Sequence, residues 1–335
     1  MGKKLIIVGR SEFIMSEFKN CNLLALMPCP LKVPFERLIT TYLRKKEREG
    51  VYLDCTIVAN ANTHLSFYEE IDNFQDIKEI PDIIISPGLN NLFYHDFYDK
   101  FIRPGYFRNP IKYDFEDNFV EIGYQDSRNN YTMFTMNLLV LVVNTARLKG
   151  ARVPLKFADL LADNYYQNVA IRGRDEFICE TVLLNFYKEY GLAGIKKLSY
   201  NVREGLHPSQ MVKKAKSNSE EDEAIYVMPY FFARTLINHK KIEVIWPEDG
   251  ALINAISMLV KKDITLEVKE LARYIAGPEL GNLFARAAFP VANPAVEINV
   301  YKKNKFKWLG WDFIRQNDLR KVMEEITAYY LSFQN

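Results

Sequence analysis

Leu138–Val143 is an uninterrupted apolar run that stops at Asn144-Thr145, and together with the thirty residues after it this run restricts the fold more than any other part of the chain. A short loop containing Pro154 comes next, and Phe157, Leu160 and Leu161 then recur at helical spacing. Asn168–Ile171 reads as a second short strand, and Arg172-Gly173-Arg174-Asp175 as the opening of the next helix. Strand, loop, helix, strand and a polar turn into a helix is the grammar of an open α/β sheet. Such sheets bind ligands where strands end and helices begin, because a helix N-terminus leaves N–H groups unpaired and carries partial positive charge. Arg172 and Arg174 beside such a terminus suit an anion; paired with nearby surface carboxylates they would have no such role.

The same punctuation recurs along the chain. Asn22–Met27 is a short apolar strand closed by Pro28-Cys29-Pro30. Val33, Leu38, Ile39, Tyr42 and Leu43 then share a helical face, with Pro34 suited to the first turn. Val51–Val58 is a strand before the polar turn Ala59-Asn60-Ala61-Asn62, and Asp82–Ile85 is a strand ending at Ser86-Pro87-Gly88. Right-handed crossovers place these three turns along one sheet edge. Ser86 reads either as a hydroxyl offered to a ligand or as the cap of a helix over Leu89–Tyr98. Cys29 reads either as a ligand-facing thiol at a helix start or as a small buried hydrophobe. Phe119–Gly123 reads as a strand, Phe177–Tyr190 as a helix closed by Gly191, and residues 195–224 as largely helical. Ala224–Val227 and Ile242–Trp246 are further strands, followed by Met228-Pro229-Tyr230 and Pro247-Glu248-Asp249-Gly250. Phe231–Ile237 is helical, Ala251–Val260 is largely apolar, and Glu267–Ile275, the segment after Gly277-Pro278, and Asp318–Leu331 are helical.

At roughly 100–200 residues per domain, 335 residues imply two domains. Lys and Arg number 44 against 42 Asp and Glu, a balance that gives no electrostatic case for a nucleic-acid partner. No run approaches the roughly 18 apolar residues of a membrane span. Leu5–Val8 is too short for the apolar core of a signal peptide, and Arg10 and Glu12 prevent its extension. The sequence therefore reads as cytoplasmic, or as periplasmic or extracellular if a leader has been removed. Cys21, Cys29, Cys55 and Cys179 form no CxxC pair, so neither a zinc knuckle nor a redox motif is expected.

In order, the motifs LLALMPCPLKVPFERLITTYLRK, PDIIISPG, NLLVLVVNT, FADLLADNYYQNVAIRGRDE, AIYVMPYFFA, IEVIWPEDGA, LARYIAGPELGNLFA and FPVANP resemble the type II periplasmic-binding-protein fold. The nearest branch is the iron(III)- and thiamine-type substrate-binding proteins of ABC importers. The resemblance runs from about residue 20 to the end. It implies two α/β lobes with mixed sheets and a hinge of crossing strands, residues 1–138 plus 256–335 forming one lobe and 139–255 the other. It also implies one ligand captured in the cleft by hinge closure. Carried over by position, the first lobe would offer Cys29, Lys32, Asn60, Asn62, Ser86 and Gly88. The second would offer Arg172, Gly173, Arg174, Asp175, Met228 and Tyr230, with Trp246 and Glu248 near the hinge. Iron-binding members often carry two adjacent tyrosines where this chain reads Met228-Pro229-Tyr230-Phe231.

The expectation is a solute-binding protein for a small anionic ligand, partnered by an ABC permease or by a cytosolic protein if it acts as a sensor. Lys32, Arg172 and Arg174 would bind the charge, Asn60, Asn62 and Ser86 would orient the ligand, and Tyr230 or Trp246 would pack on an apolar part or simply fill the hinge core. Metal binding is the alternative, with Tyr230, Asp175, Glu248 or Cys29 as ligands; His64, His95, His207 and His239 show no i, i+4 pair. No Walker loop, GxSxG or HExxH occurs, and a Cys29 nucleophile would have only His64 as a neighbouring base, so neither enzyme nor cofactor is expected.

Overall fold

The computed structural model describes residues 21–59, 68, 70–112, 114–115, 117–174, 177–297 and 304–334. Its strands are β1 (Leu23–Met27), β2 (Cys55–Ala59), β3 (Ile83–Pro87), β4 (Tyr131–Asn144), β5 (Val169–Arg174) and β6 (Phe177–Ile178). They continue as β7 (Val202–Leu206), β8 (Ile225–Pro229), β9 (Ile242–Ile245), β10 (Ala251–Val260) and β11 (Phe306–Lys307). The longer helices are α1 (Cys29–Arg48), α2 (Glu180–Asn201), α3 (Pro208–Lys216), α4 (Leu266–Ile275), α5 (Pro278–Arg286) and α6 (Leu319–Leu331). The chain forms two compact units, residues 1–136 with 255–298, and residues 137–254 with 299–335. Two strands, β4 and β10, carry the chain from one unit into the other, and every residue of both is buried.

In the first unit, β1 lies between β2 and β3 and is parallel to both, while β10 runs antiparallel to β3. Flanked on both sides, β1 is buried throughout, which is why LLALM shows no alternation of polar residues. Pro28 caps α1 and Pro30 sits in its first turn. The helix thus starts earlier than the apolar spacing implied. Pro34 is interior, and the buried stripe is Leu31, Phe35 and Ile39, with Val33 51% exposed. Phe35 stacks on Phe284 of α5 at 6.2 Å and Tyr42 on Tyr274 of α4 at 4.4 Å, so these three helices form one layer. The expected helix over Leu89–Tyr98 is instead a 3-10 turn at Asn91–Phe93 followed by short helical turns. Phe119–Gly123 is not a strand, since Asp117–Glu121 forms a helical turn.

In the second unit, β4 pairs antiparallel with β8 and β9, and β5 lies parallel between β8 and β7. Gly191 breaks α2, with φ 59 and ψ −161, and the helix resumes to Asn201. The chain over 195–224 is not mainly helical: Val202–Leu206 is a strand. Arg, Glu and Leu are all good helix formers, and pairing with β5 overrides that local preference.

The C-terminal segment also departs from expectation. Residues 304–334 belong to the second unit, not to the first. There Tyr200 of α2 meets Phe333 edge-on at 5.5 Å, and Gln334 Nε2 donates to the Ser199 carbonyl at 2.6 Å. An amphipathic stripe shows that α6 is buried on one side; it does not name the surface that buries it.

The loop before β8 carries a buried charge network. Glu223 has no exposed side-chain surface, and its carboxylate lies 3.6 Å from Lys214 Nζ and 3.9 Å from Arg203 Nε. Burial, then the adjacent Glu204 carboxyl, raises its pKa above the usual carboxylate range. A raised folded-state pKa means that its contribution to stability is fully present below the unfolded pKa and is lost as pH rises through the folded one. Glu223→Gln, which keeps the shape and removes the charge, should therefore gain on wild type in urea denaturation as pH rises. A stability difference that stays constant with pH would contradict this.

Candidate functional site

Strand ends position the candidate residues of each unit. In the first unit the register sets Met27 beside Ala59, and Leu23 beside Ile83, so β1, β2 and β3 all finish on one edge. Cys29 and Lys32 follow β1, and Ser86 and Gly88 close β3. Cys29 is exposed at the start of α1, so it is not the small buried hydrophobe of one reading. Lys32 is already engaged, its ammonium 2.8 Å from Glu36 one turn along α1. Ser86 is fully buried; its hydroxyl lies 2.7 Å from the Tyr68 hydroxyl and accepts from Asn90 Nδ2 at 2.7 Å. The cap of the Asn91–Phe93 turn is Asn90, whose side chain accepts from the Leu92 N–H, and not Ser86. Gly88 turns away from the strand with φ 87, a conformation that suits glycine, and donates to the Ala255 carbonyl at 2.8 Å. Asn60 and Asn62 lie outside the described residues.

The second unit gathers four strand ends on one edge. Arg172 of β5 is in register with Leu206 of β7, Ile171 with Val227 of β8, and Pro229 with Leu139 of β4. Ile245 of β9 stands opposite Leu141 of β4, which brings Trp246 to the same edge. His207, Arg172, Tyr230 and Trp246 therefore lie along one edge, on or just past β7, β5, β8 and β9, with β4 between the last two strands. The Tyr230 and Trp246 rings meet edge-on at 5.4 Å. Trp246 is anchored by its indole N–H, which donates to the Lys305 carbonyl at 2.8 Å.

Three expectations need correction here. Arg172-Gly173-Arg174 does not open a helix: it is the end of β5, which pairs with β6 before α2 begins at Glu180. Met228 is fully buried, so its side chain belongs to the core. Glu248 points to another neighbour, with a carboxylate oxygen 3.5 Å from Lys156 Nζ. The side chain of Arg174 and all of Asp175 lie outside the described residues. No group of three or more His, Cys, Asp or Glu capable of holding a metal occurs among the described residues. No helix among them is long and apolar enough to cross a membrane.

His207 is the residue that sequence reading missed. Its ring nitrogen caps α3 through the Ser209 N–H at 3.3 Å, and its ring meets Phe232 at 6.5 Å. The signal was present in His207-Pro208-Ser209, a capping residue followed by proline at the first helical position, but it was submerged in a stretch read as continuous helix. Burial, then the nearby Arg172 charge, lowers the His207 pKa and favours the neutral imidazole. Arg172 itself is half-buried, and among the described residues its guanidinium makes no hydrogen bond or ion pair. A half-buried guanidinium with no ion pair among the described residues can take up an anion with charge-assisted, forked hydrogen bonds.

Two α/β units joined by through-running strands, each with its parallel strands ending on one edge, define the class of two-lobed periplasmic-type binding proteins. Residues 78–317 match the family described as bacterial extracellular solute-binding protein, and the chain belongs to that family. It is a solute-binding protein with the type II periplasmic-binding fold. No curated protein matches it in sequence. Similar solved structures include an ABC transporter protein from Clostridium perfringens, with a TM-score of 0.65, 15% identity, and coverage of 93% of this chain and 99% of that one. A ferric iron-binding protein A from Mannheimia haemolytica in an open conformation gives 0.60 and 14%, covering 93% and 99%. A periplasmic binding protein from Actinobacillus pleuropneumoniae with fructose-6-phosphate bound gives 0.59 and 14%, covering 92% and 98%.

Proposed function

We propose that this solute-binding protein captures a small anionic solute for import by an ABC permease, and that Arg172 supplies the charge that recognises it. The single observation that carries the reading is the half-buried Arg172 guanidinium at the end of β5, with no hydrogen bond or ion pair among the described residues. Tyr230 and Trp246, packed edge-on beside it, supply an apolar surface for the remainder of the solute. The Actinobacillus protein, of similar fold, holds a phosphorylated sugar, which supports an anionic head group on a larger body. The family description supports work outside the cytoplasm. Two strands continuous between the units are the covalent connection that hinge closure needs, and the Mannheimia protein of similar fold was captured in an open form. Binding is what the described residues of this edge suit, since they offer a cation and aromatic rings.

A thermal-shift panel of sulfate, phosphate, sugar phosphates and small carboxylates tests the reading. A bound solute at about 100 times its Kd adds about 2.7 kcal/mol of stability. Arg172→Met should weaken the best anion about 10- to 100-fold, the loss of a hydrogen-bonded charge being worth about 1.5–3 kcal/mol. An anion that binds Arg172→Met as tightly as wild type would overturn the assignment.

A further inference from the structure

Arg172 has a neighbour that the proposed function does not use. β5 pairs with antiparallel β6, Gly173 opposite Ile178 and Arg174 opposite Phe177. The next rung is closed by the Cys179 N–H, which donates to the Arg172 carbonyl at 3.0 Å. Glu180 follows at once as the first residue of α2, half-buried, with its carboxyl in the field of Arg172. Among the described residues Glu180, like Arg172, makes no hydrogen bond or ion pair. Pairing of Arg172 with Cys179 thus puts Glu180 one residue past the rung that holds Arg172, and among the described residues neither charge is tied up.

We propose that Glu180 is a positioning residue for the anion site: it is the counter-charge of Arg172, and a solute anion takes its place. This rests on Arg172 being the recognition group.

The groups facing the pair fix the direction of the effect. Burial raises the Glu180 pKa to about 7, against the opposing pull of Arg172. Burial likewise raises the Cys179 thiol, which stays neutral, and lowers His207, which is neutral above its own titration. Among the described residues, Glu180, Cys179 and His207 are the groups whose titration is shown to be moved by the Arg172 charge. Below about pH 7 Glu180 keeps its proton and the full guanidinium charge meets the solute; above it the carboxylate offsets that charge. An anion arriving at Arg172 further raises the Glu180 pKa, so binding near neutrality draws a proton from solution.

Sulfate is the probe, because its own charge is constant over the range used. Calorimetric titration in two buffers of different ionisation heat reports both affinity and protons taken up. Wild type should bind sulfate roughly fivefold or more tightly at about pH 6 than at about pH 8.5, and should take up a fraction of a proton near pH 7. Glu180→Gln should bind tightly at both values with no uptake. His207→Asn, which preserves a capping side chain, should retain the wild-type uptake. Sulfate binding with no proton uptake in wild type, or with undiminished uptake in Glu180→Gln, overturns the role of Glu180 and leaves Arg172 as the anion group. No sulfate binding by wild type at either pH overturns both.

Discussion

Arg147→Met should lower the stability of the second unit by about 3–5 kcal/mol, the cost of removing one member of a buried charged network. Arg147 is 6% exposed and lies in the 3-10 turn that follows β4. Its guanidinium donates to the carbonyls of Glu223 at 2.9 Å, Lys214 at 2.9 Å and Ser217 at 2.6 Å. It also reaches the Tyr226 hydroxyl at 3.1 Å and Ser217 Oγ at 3.1 Å. These partners lie on α3, on the loop after it and on β8, so one side chain ties three segments together. Methionine fills much of the volume and removes the guanidinium from three carbonyls; Lys214 keeps the Ser217 N–H at 3.0 Å, whereas a buried acceptor left without its donor costs about 1–3 kcal/mol. Arg147→Lys should recover little, because a single ammonium cannot span acceptors that a planar fork reaches from both ends. Urea denaturation gives the answer: a midpoint equivalent to less than about 1 kcal/mol of change would show that these bonds are replaced by water.

Gly250→Ala should cost about 3 kcal/mol, combining a left-handed backbone with a collision. Gly250 has φ 101, and a Cβ there would lie 2.8 Å from the Phe306 carbonyl carbon and 3.0 Å from its oxygen. Those are backbone atoms of β11, which cannot turn aside as a side chain would. Relief requires separating β11 from β10, where Ala251 is paired with Phe306 and the Ala251 N–H donates to Lys305 at 3.0 Å. The Lys305 carbonyl also holds the Trp246 indole, so the damage reaches the strand-end edge that carries Trp246 and should appear as a changed Trp fluorescence in the folded protein. Gly105→Ala is the control. It has φ 82 with nothing within 4 Å of the added Cβ, so only the backbone cost of about 1 kcal/mol applies. Equal losses at the two glycines would remove the collision argument.

Strand positions were largely legible because buried parallel strands announce themselves. LLALM, DIII and AIYV are short apolar runs bounded by proline, glycine or polar turns, and each lies within or next to a strand of the structure. The strand ends were legible for the same reason, so Tyr230 and Trp246 were placed at strand ends, whereas Arg172, read as opening a helix, lies in β5. Their surroundings were not. Whether Lys32 is engaged by Glu36, whether Ser86 is bonded to Asn90, and whether Glu248 turns to Lys156 depend on side-chain directions that spacing does not encode. Glu180 and His207 were overlooked because each reads locally as an ordinary helix residue.

By itself the sequence determined the α/β class, most of its apolar strands with the turns that close them, and the largely apolar character of Ala251–Val260. These come from burial, which needs apolar side chains at fixed periods, and from chain stiffness at proline and glycine. Only the tertiary structure decided which surface receives α6, that Val202–Leu206 pairs with β5, and that Arg172 stands half-buried beside Glu180. These depend on contacts between residues distant in sequence, where packing and desolvation outweigh the local preferences that a sequence displays.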